Sequence, residues 1–194
     1  LVSKVAKKVL VAMSGGVDSS LSCVLLLQRG FEVAGVTMNW EKKDGNYAGA
    51  KGTIIEEARQ VCRTLGIAHY VVDFSQEFEE LVIEDFVSQY LQGRTPNPCI
   101  ICNQQLKFGK LLEYARHQGF DFLATGHYAQ IEEKEGKYFL KRPKDRKKDQ
   151  TYFLYGIGRE NLPYIIFPLA SLTKEEVRKL SGQYRLPVTA KPES

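Results

Sequence analysis

A glycine- and serine-rich stretch, Ser14 to Ser20, lies between a short apolar run and a helical pattern, and no other segment constrains the fold as strongly. The apolar run, Val9 to Met13, predicts a buried strand, and Leu21 to Gln28, closed by Gly30, predicts a helix. A strand, a glycine turn and a helix N-terminus bring backbone N–H groups and the positive end of a helix dipole to one point. The sequence therefore predicts an anion site here, with three serine hydroxyls as further donors and Asp18 as a carboxylate ligand for a divalent cation.

The loop departs from the two commonest phosphate-binding patterns. No lysine follows the glycines, so it is not the Gly-Lys-Ser/Thr loop of P-loop NTPases, and it lacks the G-x-G-x-x-G spacing of dinucleotide-binding folds. It resembles the SGGxDS signature of the PP-loop ATP pyrophosphatases. That resemblance implies that ATP is cleaved between its α- and β-phosphates, giving an adenylated substrate and pyrophosphate. The alternative interpretation is an ordinary Gly-Ser turn between a strand and a helix.

Strand and helix patterns alternate along the first two thirds of the chain. The further elements predicted are strands at Glu32–Met38, Tyr70–Val72 and Phe122–Ala124, helices at Ile54–Leu65, Glu77–Leu91 and Leu106–Gln118, and polar loops at Lys42–Gly52 and Gly93–Pro98. Repeated strand–helix units predict an α/β fold, a parallel sheet with helices on both faces. Ligands of such sheets bind at the carboxyl ends of the strands. We therefore expect the serine-rich loop, Met38 and the Thr125-Gly126-His127 segment to share one edge of the sheet.

The pattern changes after Tyr128, where a hairpin and a capped helix are predicted. These elements are the hairpin formed by Ala129–Ile131 and Tyr138–Leu140, and the helix Thr173–Leu180, which opens with a Thr-x-x-Glu capping box. We therefore divide the chain into an α/β domain, residues 1–128, and a smaller C-terminal appendage, residues 129–194.

Composition favours a globular cytoplasmic enzyme. The chain has 194 residues, enough for one domain with a small appendage, and 43% of them are hydrophobic. No apolar run approaches the roughly 18 residues of a membrane span, so no membrane partner is expected. The N-terminal stretch Leu1–Lys8 is basic but runs directly into a strand, so we expect no signal peptide. Four cysteines in a chain of this length do not predict a disulfide framework.

Basic residues cluster in one short segment. The formal net charge is only +4, yet six lysines and arginines fall between Lys141 and Lys148, opposed by Asp145 alone. A run of this kind indicates contact with nucleic acid. The alternative is a solvated surface loop.

A Cys-x-x-Cys pair, Cys99 and Cys102, follows two prolines that force extended backbone. Because Cys102 comes shortly before the helix predicted from Leu106, we expect the helix dipole to lower the pKa of its thiol and make it a nucleophile. Metal binding, a redox couple and sulfur chemistry are the three uses of such a pair. A structural zinc site usually takes a second pair, whereas Cys23 and Cys62 fall in helical patterns typical of apolar packing.

The chain resembles the bacterial tRNA-specific 2-thiouridylase (MnmA) family over essentially its whole length. The motifs that carry the resemblance are, in order, SGGVDSS, Met38, GRTPNPCIICNQQLKF, LATGHYAQI, KDQTYFLY and LPVTAKPES. The resemblance implies a fold of the PP-loop, adenine nucleotide α-hydrolase type. It also implies that ATP, with Mg²⁺, adenylates the C2 oxygen of the wobble uridine in tRNA. A sulfur atom, delivered as a cysteine persulfide from a donor protein or a cysteine desulfurase, then displaces AMP and leaves 2-thiouridine.

The resemblance also implies a role for individual positions. The nucleotide site is implied at Ala12, Met13, Ser14, Gly15, Gly16, Val17, Asp18, Ser19, Met38 and Gly126. Catalytic roles are implied for Cys102 and for Asp18, the latter as the Mg²⁺ ligand. Contacts with the target base are implied at Asn97, Pro98 and Cys99, and further tRNA contacts at His127, Lys148, Asp149 and Gln150.

Four of these positions have an ordinary structural interpretation as well. Met38 fills a core more often than it contacts a ligand, and His127 could be a hydrogen-bonded structural histidine. Asn97 could serve only to make a turn, and Lys148 could be a solvated surface charge. The surrounding motifs favour the functional interpretation of all four.

Two departures from the family pattern bear on mechanism. Many members have aspartate where this chain has Cys99, which alters the approach to the base or supplies, with Cys102, ligands for a [4Fe–4S] cluster of the kind some tRNA thiolation enzymes use. The family's second catalytic cysteine follows a KPES-like stretch, and this sequence ends at Ser194. We therefore expect the chain to lack that cysteine and the C-terminal barrel domains, and to bind ATP without completing thiolation.

Two other function classes fit the serine-rich loop. One is a PP-loop ligase or amidotransferase that releases pyrophosphate but acts on a small molecule; the Cys-x-x-Cys pair and the basic run argue against it. The other is a non-catalytic nucleotide-binding module, against which Asp18 and the loop serines argue.

Overall fold

The computed structural model describes residues 6–40, 52–184 and 186–187. Its centre is a parallel sheet of five strands in the order β3-β2-β1-β4-β7. These strands are β1 (Lys8–Ala12), β2 (Glu32–Asn39), β3 (Ala68–Asp73), β4 (Phe122–Ala124) and β7 (Ile165–Ile166). A separate antiparallel hairpin consists of β5 (Gln130–Lys134) and β6 (Lys137–Lys141). The predicted parallel sheet and the predicted hairpin are both confirmed.

Helices connect the strands of the sheet. The α-helices are α1 (Val17–Gln28), α2 (Gly52–Leu65), α3 (Ser75–Phe78), α4 (Glu84–Leu91), α5 (Pro98–Ile101), α6 (Leu112–His117) and α7 (Lys174–Gln183). A π-helical segment, Glu79–Ile83, joins α3 to α4, and a second, Cys102–Leu111, joins α5 to α6. We call the continuous run of residues 98–117 the cysteine helix. Among the described residues, none of the helices combines the length and apolar character that a membrane crossing takes.

The core lies in two apolar layers, one on each face of the sheet. Side chains alternate along β1, so Val9 and Val11 pack with α1, α2 and α7, whereas Leu10 packs on the opposite face with the cysteine helix. All three are completely buried, which explains why β1 is a continuous apolar run rather than an alternating one. Helices on both faces of the sheet, as predicted, are confirmed.

The segment after Tyr128 contributes to the main sheet as well as to the hairpin. Strand β7 pairs in parallel with β4, with Leu123 opposite Ile165. Helix α7 joins the layer around α1 through Val177, which is completely buried. The domain boundary at residue 128 stays a prediction, and the structure adds that the later segment supplies a strand and a helix to the same layers.

Helix α1 begins at Val17, four residues before the predicted start at Leu21. The intervening serines were interpreted as loop, since serine competes for backbone hydrogen bonds. Here the Ser20 hydroxyl donates to the Gly16 carbonyl oxygen at 2.8 Å, and the Ser22 hydroxyl donates to the Asp18 carbonyl oxygen at 2.8 Å. These serines are small enough to be buried against the sheet with their hydroxyls satisfied inside the helix.

The cysteine helix also begins earlier than predicted, at Pro98 rather than Leu106. Proline is compatible with the first helical position, and the Asn97 side-chain oxygen accepts a hydrogen bond from the Cys99 N–H at 3.1 Å. The capping box predicted for α7 is confirmed, since the Thr173 hydroxyl accepts from the Glu176 N–H. The loop predicted at Lys42–Gly52 lies outside the described residues, except for the first residue of α2.

Candidate active site

A pocket of about 350 Å³ opens at the carboxyl ends of the central strands, where parallel sheets bind their ligands. It gathers ten residues singled out by the sequence, from segments that are far apart along the chain. These are Ala12, Met13, Ser14, Asp18, Ser19, Met38, Thr125, Gly126, His127 and Gln150. Four further lining residues were not anticipated: Thr37, Trp40, Ile54 and Lys107. The expectation that the loop, Met38 and the Thr125-Gly126-His127 segment share one edge is confirmed.

The serine-rich loop is organised by its own hydroxyls. The Ser14 N–H donates to the Ser19 hydroxyl oxygen at 3.3 Å, and that hydroxyl donates to the Gly16 carbonyl oxygen at 3.2 Å. Gly15 has a φ of +68°, and a Cβ added there would lie 2.8 Å from Oε2 of Glu57 on α2. A glycine is therefore needed at this turn both for backbone conformation and for space. The turn leads into the N-terminus of α1, where Asp18 and Ser19 line the pocket, and a helix N-terminus favours an anion.

Gly126 allows the end of β4 to approach the first turn of α1. A Cβ at this position would lie 2.8 Å from the Ser19 amide nitrogen and 2.9 Å from the Asp18 carbonyl carbon. Both neighbours are backbone atoms, so neither can rotate away. The absence of a side chain at Gly126 thus sets the width of the pocket beside the loop.

The carboxylate of Asp18 is held by two residues from the second half of the chain. Lys174 Nζ donates to Oδ1 at 2.8 Å and to Oδ2 at 2.7 Å, and the Tyr128 hydroxyl donates to Oδ1 at 2.8 Å. Both side chains of the Lys174–Asp18 pair are less than one third exposed. The sequence had not indicated Lys174. The capping box places it at the start of α7, but nothing local shows that this helix packs beside α1.

This arrangement bears on the Mg²⁺ role predicted for Asp18. Within the described ranges, no group of three or more histidine, cysteine, aspartate or glutamate residues could hold a metal ion. Mg²⁺ is commonly bound through one or two carboxylates together with substrate phosphates. Asp18 can supply one such carboxylate oxygen only if the Lys174 ammonium gives up a hydrogen bond to Asp18 and donates to a phosphate of the ligand instead. The residues present therefore fit an ion that arrives with a nucleotide rather than a resident metal site.

The His127 side chain lines the pocket as a neutral imidazole. Burial, and then the nearby Lys107 cation, hold the pKa of His127 well below its ordinary value of 6.5. Its ring lies between Phe108 and Phe167, with centroids 5.9 and 6.2 Å away, and its Nδ1 is 2.7 Å from the Thr125 hydroxyl. The side chain can exchange a hydrogen bond with a ligand but does not contribute charge at neutral pH.

The Lys148-Asp149-Gln150 segment joins the pocket through its last residue. The Tyr128 N–H donates to the Gln150 side-chain oxygen at 2.8 Å, and the Gln150 N–H donates to the Tyr128 carbonyl oxygen at 3.1 Å. Asp149 braces the segment: burial alone would raise its pKa, but hydrogen bonds from Thr151 and Arg142 outweigh burial and lower it. The segment is thereby fixed against the strand end that carries His127.

A second depression, of about 550 Å³, is lined mainly by basic side chains and lies on the other side of Lys174. We call it the basic groove; its cationic residues are Lys144, Arg146, Lys147, Lys148, Lys174 and Arg178. The backbone N–H of Lys174 donates to Asp145 at 2.9 Å, which ties the groove to the start of α7. Because the Lys174 ammonium contacts Asp18, the basic groove and the nucleotide-sized pocket adjoin.

The two loop cysteines lie outside the pocket lining, at the start of the cysteine helix. Cys99 is exposed, Cys102 is partly buried, and both are free thiols. The prediction of a lowered thiol pKa at Cys102 is wrong: burial raises the pKa above 9.0, only partly opposed by the Lys107 cation. The helix begins at Pro98, so Cys102 lies a turn inside it, beyond the strongest effect of the helix terminus. Cys23 and Cys62 are buried in the core, as predicted.

Comparison with known proteins shows the family. The family model described as "tRNA methyl transferase HUP domain" matches residues 7–194. The chain belongs to this family. A protein named "tRNA-specific 2-thiouridylase MnmA 1" from Syntrophus aciditrophicus is 54% identical over 190 residues, which cover 97% of this chain and 51% of that protein. A "tRNA-specific 2-thiouridylase MnmA" from Pelotomaculum thermopropionicum is 49% identical over 197 residues, which cover 96% of this chain and 53% of that protein.

This HUP-domain chain thus spans about half the length of the curated relatives it matches. Its fold is shared with a solved 4-thiouridine synthetase–RNA complex with bound ATP, at a TM-score of 0.62 and 17% identity. That match covers 96% of this chain and 43% of the other. At this identity the likeness concerns the fold alone.

The predicted site residues of the HUP domain fall into three neighbouring places. Seven of the ten predicted nucleotide residues line the pocket, and the other three, Gly15, Gly16 and Val17, lie between Ser14 and Asp18 without lining it. Asn97 to Cys102 form the start of the cysteine helix, and Lys148 lies in the basic groove. Lys107 lies between the pocket and the start of the cysteine helix, because it lines the pocket and its cation partly offsets the rise that burial causes in the pKa of Cys102. Lys107 and Lys174 are the lysines that sequence reasoning missed; each was one charge among the 27 lysines and arginines of the chain.

Proposed function

We propose that the protein carrying this chain is an ATP-dependent tRNA-uridine 2-sulfurtransferase that works in the cytoplasm. The observation that carries the proposal is that a pocket built on the SGGVDSS loop adjoins both a basic groove and a helix bearing Cys102. An adenylating site, a surface for a polyanion and a nucleophilic sulfur are the three requirements of the reaction. The names of the curated relatives agree with this function.

ATP binds with its phosphates at the loop and its base towards the end of β2. The N–H groups at the start of α1 receive the phosphate oxygens, and Lys174 moves from Asp18 towards the phosphates. Met38 and Trp40 line the part of the pocket beyond the loop and enclose the adenine. Asp18, once released by Lys174, offers a carboxylate oxygen to Mg²⁺ carried by the nucleotide. An ion held there would supply positive charge that offsets the charge of the leaving pyrophosphate.

The reaction then proceeds in two displacements. The C2 oxygen of a uridine attacks the α-phosphorus, and pyrophosphate leaves with the electron pair of the bridging bond. The terminal sulfur of a cysteine persulfide next attacks C2, and AMP leaves with the electron pair of the C2–O bond. A thiol, as its thiolate, finally attacks the donor cysteine's sulfur in the disulfide that now joins donor and base. A new S–S bond forms between this thiol and the donor cysteine, and the sulfur on the base keeps the electron pair of the broken bond. Cys102 is the candidate for this thiol, because it lies next to the pocket rather than in the core.

A target uridine reaches this site only outside its base stack, as for other enzymes that act on a base. Asn97, Pro98 and Cys99 form the first turn of the cysteine helix and are the proposed contacts for that base. The basic groove is the proposed contact for the RNA backbone, since lysine and arginine replace the counterions of phosphates. His127, neutral at the pocket wall, offers a hydrogen bond without repelling the cations around it.

The thiol route is favoured over an iron–sulfur cluster. A cluster takes three or four cysteines, and in the part of the chain that the structure describes only Cys99 and Cys102 lie outside the core. A cluster would therefore need a ligand from elsewhere. Iron and acid-labile sulfide in anaerobically purified protein would favour the cluster, whereas iron-free and fully active protein would exclude it.

The function is tested by the nucleotide product. We expect added tRNA to stimulate release of pyrophosphate and AMP from ATP, and the RNA to gain 2-thiouridine when a persulfide donor is present. Release of orthophosphate would exclude an adenylating loop of this type. Pyrophosphate release that ignores tRNA but responds to a small-molecule acceptor would instead favour a PP-loop ligase.

Replacement of Lys174 with methionine is expected to weaken ATP binding about tenfold or more. The change removes a cation beside the phosphate loop and leaves the Asp18 carboxylate to repel the triphosphate. Titration with a non-hydrolysable ATP analogue measures the effect. Lys8→Met is the matched control, because Lys8 pairs with Glu32 at the opposite end of the sheet. Equal affinity of the Lys174 variant and the control would show that Lys174 has only a structural role.

A further inference from the structure

Two tyrosines expose most of their surface on the short turn that follows Gln150. Tyr152 is 65% exposed and Tyr155 is 68% exposed. Their ring centroids lie 6.4 Å apart and their planes meet at 45°. We call this pair the tyrosine platform. Contiguous aromatic surface exposed on this scale is typical of an interaction site.

The platform is held outward by the residues around it. Leu154, between the two tyrosines, is 1% exposed and belongs to the core on the cysteine-helix face. The Phe153 carbonyl oxygen accepts a hydrogen bond from the Asn103 side chain at 3.2 Å. At the start of the turn, the Thr151 hydroxyl donates to Asp149 at 2.7 Å. With these anchors, the tyrosine rings face solvent without the freedom of a loose loop, so little ordering is needed when they bind.

The platform lies between the three parts of the proposed active site. Gln150, just before it, lines the nucleotide pocket, and Lys148 lines the basic groove. After it, Gly156 packs so closely on the cysteine helix that an added Cβ would lie 2.7 Å from Oε1 of Gln104. Asn103, which holds the turn from that helix, directly follows Cys102. A ligand seated on the two rings is therefore next to the reacting groups and to the cationic surface.

We propose that Tyr152 and Tyr155 form a stacking surface for an unpaired RNA base beside the reacting uridine. The inference rests on the proposed function and deepens it. Unpaired bases in RNA loops stack on exposed aromatic side chains, and a nucleotide flanking an extruded base loses its own stacking partner. The adjoining basic groove argues for an RNA occupant rather than an apolar protein surface, because only the RNA brings phosphates with its flat rings.

The test uses an anticodon stem-loop RNA with 2-aminopurine beside the target uridine. We expect the protein to quench the 2-aminopurine fluorescence. Substitution of both tyrosines, Tyr152→Ala with Tyr155→Ala, is expected to abolish the quenching and to raise the Kd about tenfold or more, the range of one base–aromatic stack. Tyr152→Phe with Tyr155→Phe keeps the rings and retains both signals. Tyr70→Ala is the control, because Tyr70 is 40% exposed near the starts of β1 and β2.

Each outcome is informative when the affinity for an ATP analogue is measured alongside, since that affinity reports an intact fold. Unchanged quenching and Kd in the double alanine variant overturn the platform while leaving the proposed function intact. Failure of the unaltered protein to bind the RNA overturns the proposed function itself. Loss of sulfur delivery with RNA binding unchanged assigns the platform to the donor protein and overturns the inference.

Discussion

Replacing Gly126 with alanine is expected to weaken ATP binding about 10- to 100-fold while the chain stays folded. The added methyl group would lie 2.8 Å from the Ser19 amide nitrogen and 2.9 Å from the Asp18 carbonyl carbon. Because both are backbone atoms in the first turn of α1, relief requires that β4 and α1 move apart. Overpacking of this kind costs roughly 1–3 kcal/mol, and the displacement falls on the loop proposed to receive the phosphates. Calorimetric titration with an ATP analogue measures the loss.

The matched control for this substitution is Gly158→Ala. Neither glycine has a positive φ, so neither substitution strains the backbone conformation. The three atoms nearest to a Cβ at Gly158 belong to the carboxylate end of the flexible Glu160 side chain, which can turn away. We expect the control to bind the analogue normally. Normal binding by the Gly126 variant would show that the close contact of β4 and α1 is not needed for the nucleotide.

Replacing Cys102 with serine is expected to lower the rate of thiouridine formation by roughly 10³-fold or more, as when a catalytic nucleophile is removed. ATP binding should be unchanged, because Cys102 does not line the pocket. The measurement pairs thiolated nucleoside content with analogue titration. Cys99→Asp separates the two mechanisms: it leaves thiolation largely intact if Cys102 acts as a thiol, and abolishes it if both cysteines hold a cluster. Retained thiolation in the Cys102 variant would make that residue structural.

The pH dependence of Cys102 follows from its environment. Burial raises the pKa of Cys102 above 9.0, so the thiol is protonated at neutral pH in the absence of RNA. Only the thiolate reacts, and its alkylation rate therefore rises through the alkaline range up to that pKa. Lys107→Met removes the cation that lowers the pKa and should slow alkylation further. Rapid alkylation at neutral pH would contradict the burial of this thiol.

Local patterns were sufficient for the sheet and for the glycine turn after β1. The apolar run of β1 and the turn at Gly15 are each encoded within a few residues, so the sequence indicated both, whereas the anion site at this turn stays a prediction. The edge shared by Met38 and Gly126 followed from a general rule of parallel sheets. These predictions needed only the identity of each element and its order along the chain.

Lys174 could not be predicted in this way. Its contact with Asp18 joins residues 156 positions apart and depends on how α7 packs beside α1. The start of the cysteine helix was misplaced for a more local reason: two prolines suggested a break, whereas Pro98 occupies the first helical position and Asn97 caps it. The pKa of Cys102 was consequently predicted with the wrong sign, because burial is a property of the assembled fold.

The order of the strands also governs when the protein becomes competent during synthesis. Strand β1 precedes the other four strands of this sheet along the chain, yet it lies between β2 and a strand that begins at residue 122. The pocket is also lined by Gly126 and Gln150, and its Asp18 carboxylate is held by a hydrogen bond from Lys174. We therefore expect a nascent chain to expose its serine-rich loop before it can hold a nucleotide, with binding delayed until Lys174, about nine tenths of the way along this stretch, has left the ribosome.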